Sequence, residues 1–198
     1  MNNSAPWNLA CKASALAQSW LPVGVLGLSL AINVYLGYRL DATPAVRTVA
    51  HVKAGESFPR LSAEGPRGER VNIDWPSSGN ETVLYIFSPS CIWCARNLNN
   101  IKAIVAARGL SYRFIGVSLT RTGLPEYLAK NSLPFPVYSI DAATAKTAKL
   151  GGTPETIVIS RDGRVQRDIS GAFTGISQQQ AESLFKLHLP GLIVQGAS

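Results

Sequence analysis

Cysteine and histidine are scarce in this sequence, whose 198 residues include three cysteines and two histidines. Three cysteines are too few to hold a small domain together by a network of disulfides. The two histidines, His51 and His188, are isolated in the sequence, and a zinc site with four ligands would lack its second ligand pair. We therefore expect no metal site and interpret both histidines as surface or packing residues.

Charged residues are absent from residues 13–38. The apolar run over residues 20–40 is long enough to cross a bilayer as a helix, which takes about 20 residues. Trp20 and Tyr38 fit the aromatic belt of a membrane interface. The stretch has no basic n-region and no clear cleavage site, which argues against a removable signal peptide. We predict three segments: an N-terminal tail over residues 1–19, a transmembrane helix over residues 20–40 and a linker over residues 41–54.

Basic residues do not form clusters. The formal net charge of +7 is modest, and the sequence has no lysine- or arginine-rich run of the kind found in nucleic-acid-binding segments. We therefore expect no nucleic-acid partner. The charges that flank the predicted span do not favour a cytoplasmic tail and slightly oppose it, although long domains cross membranes largely regardless of such counts. The remaining cysteine, Cys11, precedes the span and is interpreted as an unpaired thiol.

The rest of the sequence alternates between strand and helix patterns. Apolar runs at Thr82–Phe87 and Tyr112–Leu119 are typical of strands that are buried on both faces. A helix is predicted at Cys91–Arg108, and a capping-box pattern that starts at Ser177 predicts a final helix. This order predicts an α/β fold with a central mixed β-sheet flanked by helices. We predict two further segments: a folded domain over residues 55–190 and a C-terminal tail over residues 191–198.

Cys91 and Cys94 stand at the start of a predicted helix. A C-x-x-C motif within a β-α-β pattern indicates a dithiol redox site. Cys94 begins the apolar stripe of that helix, so we expect it to be buried. Cys91 lies at the exposed end, where backbone N–H groups favour a thiolate. Cys91 is therefore the predicted attacking thiolate, and Cys94 is the predicted resolving thiol.

Four further residues are assigned to client binding. Ile92 and Trp93 are the apolar residues between the cysteines, and an exposed tryptophan is a frequent interface anchor. Thr153-Pro154 is either a trans proline in a surface turn or a cis proline opposite the dithiol, which would leave the Thr153 backbone free to pair with an extended client. The strand patterns on both sides favour the cis form.

Two stretches resemble the thioredoxin superfamily: Phe87–Cys94, with the sequence FSPSCIWC, and Thr153-Pro154 followed by IVISRDG at Ile157–Gly163. The predicted anchor and the stretch Gly55–Pro59 resemble the TlpA/ResA group of that superfamily. The resemblance covers about residues 55 to 189 of the sequence. It implies a thioredoxin-like fold and an extracytoplasmic, membrane-anchored thiol-disulfide oxidoreductase, a kind of protein that often serves cytochrome c maturation.

The resemblance also implies a location and partners. The expected location is the bacterial inner membrane, with a single span and the catalytic domain in the periplasm. The expected partners are a client protein with a disulfide or cysteine pair and a membrane protein that donates electrons. No cofactor is expected.

The sequence departs from these relatives at two positions. Asn97 stands where the reductase group often has a glutamate, and Tyr85 stands where thioredoxin has a buried aspartate. Either acid would help to move the proton of the buried thiol. Proton transfer is therefore left to water, to Tyr85 or to an unidentified group.

Two alternative functions remain. The first is an accessory or chaperone-like module that binds a client with little redox turnover, which the missing acids favour. The second is a peroxiredoxin, which ranks last because Ser88 replaces the usual threonine three residues before the reactive cysteine.

Overall fold

The computed structural model describes residues 22–36, 38, 51–75 and 79–193. The predicted N-terminal tail with Cys11, most of the predicted linker and the end of the C-terminal tail lie outside the described residues. The chain divides into two compact units, Met1–Thr48 and Val49–Ser198.

The first unit contains one described helix, α1, at residues 22–36 and 38. Its side chains are exposed along the whole described length, with Leu26 71% exposed and Leu30 68% exposed. No helix among the described residues is both long enough and apolar enough to cross a membrane. The predicted span over residues 20–40 lies partly outside the described residues and stays a prediction.

The second unit is built on one seven-stranded sheet, and its mixed character is confirmed. Strands β3, β4 and β5 are parallel neighbours, whereas β1–β2, β1–β5, β3–β6 and β6–β7 are antiparallel pairs. The spatial order is β2-β1-β5-β4-β3-β6-β7. The strands have these bounds: β1 Leu61–Glu64, β2 Arg70–Ile73, β3 Glu81–Phe87, β4 Tyr112–Ser118, β5 Val137–Ser139, β6 Glu155–Ile159 and β7 Val165–Ser170.

Five helices accompany the sheet: α2 Ile92–Arg96, α3 Leu98–Arg108, α4 Leu124–Asn131, α5 Ala142–Thr147 and α6 Gly175–Phe185. Asp141 caps α5, because its carboxylate accepts a hydrogen bond of 2.7 Å from the Thr144 N–H. The folded unit includes part of the predicted linker, since Val52 is buried among core residues.

Each face of the sheet has its own apolar core, and the alternation along β3 assigns residues to each. Tyr85 and Phe87 pack with Cys94 on one face, which we call the dithiol face. Leu84 and Ile86 pack on the other, which we call the opposite face. The side chains of successive residues in the central strands therefore alternate between the dithiol face and the opposite face.

The predicted helix Cys91–Arg108 is in fact two helices, and this part of the prediction is wrong. Asn97 ends α2 and precedes α3, with φ −83° and ψ −3°. Its buried side chain accepts a hydrogen bond of 3.1 Å from the backbone N–H of Phe173, just before α6. This long-range contact fixes the break, and the local apolar periodicity carries no sign of it.

The start of the last helix also differs from the prediction. Helix α6 begins at Gly175, with Thr174 as its N-cap. Ser177, predicted as the cap, lies in the first turn and accepts a hydrogen bond of 3.0 Å from the Thr174 N–H. Thr174 and Ser177 therefore form a capping box in which Ser177 is the N3 residue, and this box starts three residues earlier than predicted.

Candidate active site

Cys91 and Cys94 form a disulfide at the start of α2, with their Cα atoms 5.2 Å apart. Strand β3 leads into this helix start through residues 88–90, and Cys91 is the N-cap of α2. Cys94 has no exposed surface, whereas Cys91 is partly exposed. The Cys94 N–H lies 3.1 Å from Cys91 Sγ, in position to donate a hydrogen bond. The expected difference in exposure between the two sulfur atoms is therefore present.

Thr153 and Pro154 lie beside the outer sulfur. The bond between them is cis, as the flanking strand patterns favoured. The carbonyl oxygen of Thr153 lies 3.5 Å from Cys91 Sγ. Pro154 is buried, and Thr153 is partly exposed. The structure thus brings both residues to the dithiol, and their role in client binding stays a prediction.

Ile92 and Trp93 are both exposed next to the disulfide, at 56% and 47% of their surface. The guanidinium carbon of Arg96 lies 4.8 Å from the centre of the Trp93 ring, an arrangement typical of a cation–π contact. The indole is thus held against its own helix and still leaves about half of its surface free. This pair forms an apolar rim next to Cys91.

The side chain beneath the dithiol on β3 is Tyr85. Its hydroxyl donates a hydrogen bond of 3.3 Å to the carbonyl oxygen of Cys94. Burial raises the pKa of Tyr85 far above its ordinary value, so the phenol stays protonated at neutral pH. Tyr85 therefore cannot serve as the base that accepts the proton of the Cys94 thiol.

Asn97 occupies the position at which the resemblance places a glutamate, and it has a structural task. Its Oδ1 accepts hydrogen bonds from Asn100 Nδ2 at 2.9 Å and from the Phe173 N–H at 3.1 Å. The Asn97 side chain is fully buried, and no described residue offers its Nδ2 a hydrogen bond. The amide joins the α2–α3 break to the segment before α6 and supplies no acid to the dithiol.

A groove of about 470 Å³ opens beside the helix start, and no sequence pattern indicated it. It runs from the turn before Cys91 to helix α4. Its lining residues are Pro89, Ser90, Ala95, Thr122, Gly123, Glu126, Tyr127, Lys130 and Asn131. The groove therefore combines an apolar wall with the charged side chains of Glu126 and Lys130.

Sequence reasoning also missed a buried carboxyl group next to Pro154. Glu155 begins β6, is 1% exposed, and pairs with Ile86 in the register of β3 and β6. Residues opposite each other in a ladder share a face, so the Glu155 side chain points to the opposite face. Burial, and then the neighbouring Asp168 carboxylate, raise the pKa of Glu155 to about 8. A glutamate within an apolar strand run was the available signal.

His51, expected to be isolated, lies beside this carboxyl group. Its Nδ1 is 3.4 Å from Glu155 Oε1 and 3.9 Å from Asp168 Oδ2. Ser170 Oγ lies 3.3 Å from the same nitrogen. These three partners are more than one hundred residues away along the chain, so the sequence alone gave no reason to group them.

Comparison with solved structures identifies the fold of the second unit. The chain is similar to a putative thiol:disulfide interchange protein DsbE of Chlorobium tepidum, with a TM-score of 0.58 and 19% identity. The match covers 69% of this chain and 96% of that chain. The thioredoxin domain of a Bacteroides vulgatus thiol-disulfide oxidoreductase matches with a TM-score of 0.55 and 13% identity over 68% of this chain and 99% of that one. The fold is therefore thioredoxin-like.

The same fold also occurs in a peroxidase. The peroxidoxin BcpB of Mycobacterium tuberculosis matches with a TM-score of 0.54 and 14% identity over 69% of this chain and 97% of that chain. No protein-family model matches the sequence, and no curated protein matches it. The fold thus leaves more than one reaction open, and the choice between them rests on the geometry of the dithiol.

Proposed function

We propose that this chain is a thiol-disulfide oxidoreductase that exchanges a client disulfide with the Cys91–Cys94 pair. The observation that carries the proposal is the disulfide itself: a partly exposed sulfur and a fully buried one, joined at the first turn of a helix. The Thr153 carbonyl oxygen beside Cys91 Sγ and the thioredoxin-like fold support the same reaction. The structures with which it shares that fold include thiol:disulfide interchange proteins.

The reaction balances with the two sulfur atoms alone. The Cys91 thiolate attacks one sulfur of the client disulfide, a mixed disulfide forms, and the other client sulfur leaves as a thiolate. The Cys94 thiolate then attacks Cys91 Sγ, the bond between Cys91 and the client breaks, and the Cys91–Cys94 bond forms. The two client thiolates take up, through water, the two protons that the Cys91 and Cys94 thiols released. Two electrons have passed to the client, so a separate dithiol donor must reduce the pair again before the next cycle.

The position of the Cys94 N–H favours Cys91 as the attacking sulfur. A hydrogen bond from this N–H stabilises a thiolate at Cys91 once the disulfide is reduced. Cys94 has no exposed surface from which it could reach a client first. The resolving step is intramolecular, because the two residues lie on one turn.

The apolar rim of Ile92 and Trp93 is the proposed client contact. The rim follows Cys91 in the chain, and the Thr153 carbonyl oxygen lies 3.5 Å from the Cys91 sulfur. A client chain that presents its disulfide to Cys91 would contact both. Backbone pairing with Thr153 would align an extended client segment, and the rim would exclude water from the exchanging sulfurs.

We also propose that the domain is anchored to the bacterial inner membrane by one span within residues 20–40 and lies in the periplasm. The described helix α1 supports the anchor, because its apolar side chains are exposed along its length, including Val23, Val25, Leu28 and Ile32. The client is then an extracytoplasmic protein, such as one in cytochrome c maturation, and a membrane protein supplies the electrons.

The activity can be tested by turnover with a disulfide-bonded peptide and dithiothreitol as the electron donor. We expect catalysed reduction above the uncatalysed rate, and loss of catalysis in both Cys91→Ser and Cys94→Ser. The matched control is Cys11→Ser, which removes the third thiol and should leave the rate unchanged. A wild-type rate equal to the uncatalysed rate would contradict the proposal.

The second candidate, an accessory module that holds a client, is favoured by one observation: Tyr85 and Asn97, the two positions at which the resemblance places an acid, are neutral and are engaged in structural hydrogen bonds. The same peptide separates the two functions. Equal peptide binding by wild type and by the Cys91→Ser/Cys94→Ser double variant, without turnover in either, would assign the chain to the accessory class.

The location needs its own test. A reporter enzyme that is active only in an oxidising compartment, fused after Ser198, should be active if the domain is periplasmic. Activity of a cytoplasm-specific reporter in its place would reverse the proposed topology. Neither result affects the proposed chemistry of the dithiol.

A further inference from the structure

Three potential metal ligands meet on the opposite face of the sheet: His51, Glu155 and Asp168. Each offers one donor atom, and the three donors all lie within 4.8 Å of one another. His51 belongs to the segment before β1, Glu155 begins β6, and Asp168 lies in β7. The register of β6 and β7 pairs Asp168 with Ile157, so both carboxylates point to the same face.

One oxygen atom of each carboxylate faces His51, Oε1 of Glu155 and Oδ2 of Asp168, and the other oxygen atom has no hydrogen-bond partner among the described residues. The Glu155 side chain is 1% exposed, and its Oε2 is buried without a hydrogen-bond partner in the part of the chain that the structure describes. Within the same described residues, Asp168 Oδ1 is buried and also lacks a partner. Buried polar atoms nearly always have a partner, and an unpaired buried carboxylate is costly. These two oxygen atoms require either a proton or a cation.

The donor spacing matches a small divalent cation. In a tetrahedral zinc site the N and O ligands lie at about 2.0–2.2 Å from the ion, which places neighbouring donors about 3.3–3.6 Å apart. The His51 nitrogen lies 3.4 Å from Glu155 Oε1 and 3.9 Å from Asp168 Oδ2. All three donors lie within 4.8 Å of one another and would have to close around the ion, and water would take the fourth position.

We propose that His51, Glu155 and Asp168 form a binding site for one divalent transition-metal ion of the Zn²⁺ type. One imidazole with two carboxylates suits Zn²⁺ better than the hard ions Mg²⁺ and Ca²⁺, which prefer all-oxygen ligands. The His51 side chain is 47% exposed, so the site has an entry path for the ion. Ser170 Oγ, 3.4 Å from Asp168 Oδ2, orients that carboxylate.

The ion has a structural role in this proposal. It joins the chain segment at residue 51 to β6 and β7, immediately after Thr153–Pro154. His51 Cε1 lies 3.8 Å from the position that a Cβ would take on Gly152, so the imidazole borders the same loop. Because the Glu155 side chain points away from the dithiol face, the ion would support the loop without contacting either sulfur.

The test is a zinc titration of the untagged full chain in detergent, after bound metal has been stripped. Cys91 and Cys94 are kept as the disulfide, and Cys11 is alkylated. These conditions remove thiolate ligands. We expect saturable binding of one Zn²⁺ by calorimetry and a rise in the melting temperature with zinc concentration. His51→Ala and Asp168→Asn should each weaken binding by at least about tenfold, and Mg²⁺ should not compete.

The chain supplies a matched control. His188 Nδ1 lies 3.3 Å from Glu182 Oε1, a pair with almost the same spacing but with His188 90% exposed. His188→Ala should leave zinc affinity unchanged. Absence of saturable binding would show that a shared proton alone satisfies the two carboxylates and would overturn the proposal. Equal losses in His51→Ala and His188→Ala, or tighter binding of Mg²⁺ than of Zn²⁺, would also overturn it.

Discussion

The two sides of the Thr153–Pro154 loop differ in their chemistry. On the dithiol face, Cys91 contacts the Thr153 carbonyl, the neutral Tyr85 contacts the Cys94 carbonyl, and the neutral Asn97 follows at the end of α2. On the opposite face, one residue further along the chain, Glu155 is buried beside a histidine and a second carboxylate.

This difference separates thiol chemistry from acid–base chemistry. The titratable groups next to the loop act on the stability of the domain and on ion binding, whereas the groups under the dithiol act through packing and hydrogen bonds. Proton exchange at the Cys94 thiol is then left to water or to the client. Substitutions on the opposite face should consequently change the pH dependence of stability, whereas those on the dithiol face should change stability or client turnover without changing it.

The largest effect is expected from pH on the Glu155 side. In chelated protein, the folded state holds the Glu155 proton up to about pH 8, whereas an unfolded glutamate releases it near 4.5. A raised folded pKa contributes stability that is fully present below the unfolded pKa and is lost as the pH rises through the folded one. Stability should therefore fall between pH 5 and pH 9, by up to several kcal/mol.

Glu155→Gln should flatten this pH profile, because the amide does not titrate. Asp168, His51 and Ser170 face the same carboxyl group, so Asp168→Asn should flatten the profile in part. Denaturant unfolding at several pH values, with chelator present, measures the effect. Glu81→Gln, at the half-buried first residue of the neighbouring strand β3, is the control. A wild-type profile that is flat from pH 5 to pH 9 would contradict the prediction.

A smaller loss of stability is expected at Asn97 on the dithiol face. Asn97→Ala leaves the Phe173 N–H without its acceptor and also removes the bond to Asn100. A buried donor left unsatisfied costs about 1–3 kcal/mol. Asn99→Ala, at an exposed position two residues further along, is the matched control. Equal unfolding free energies for the two variants would remove Asn97 from its structural role.

A still smaller effect is expected at Tyr85. Tyr85→Phe removes one hydrogen bond to the Cys94 carbonyl and should cost about 0.5–1.5 kcal/mol. Because the phenol does not ionise near neutral pH, the pH dependence of disulfide exchange should be the same as in wild type. Exchange rates measured from pH 6 to pH 9 test this point. A shifted profile in Tyr85→Phe would show that the hydroxyl takes part in proton transfer.

The smallest effect on stability is expected at Trp93. Its side chain is about half exposed and contacts Arg96, so Trp93→Ala should change the unfolding free energy by less than about 1 kcal/mol. Client turnover should nevertheless fall, with the loss mainly in KM. Leu110→Ala, which alters a 97% exposed apolar residue, is the control for general surface effects. An unchanged KM in Trp93→Ala would remove the indole from the client surface.

The local sequence patterns were sufficient for most of the framework. Apolar runs located β3 and β4, and the C-x-x-C spacing together with Thr153-Pro154 located the dithiol and its neighbour. The strands could be predicted because apolar periodicity is a short-range signal. The dithiol could be predicted because the C-x-x-C spacing has few other roles in proteins.

The features that escaped prediction depend on contacts between distant parts of the chain. The helix break at Asn97 is fixed by a hydrogen bond to Phe173, 76 residues away. His51 meets Glu155 across 104 residues. Such contacts follow from the strand order and from the register of β6 with its neighbours, neither of which a single sequence specifies.

The central claim is that the exposed Cys91 attacks and the buried Cys94 resolves. The most direct test incubates reduced Cys94→Ser and reduced Cys91→Ser, each with Cys11→Ser, with a disulfide-bonded client peptide and identifies the adducts by mass spectrometry. The account predicts that Cys94→Ser accumulates a mixed disulfide at Cys91, because nothing resolves it, and that Cys91→Ser forms none. An adduct at Cys94 in the Cys91→Ser variant, with none in Cys94→Ser, would contradict it.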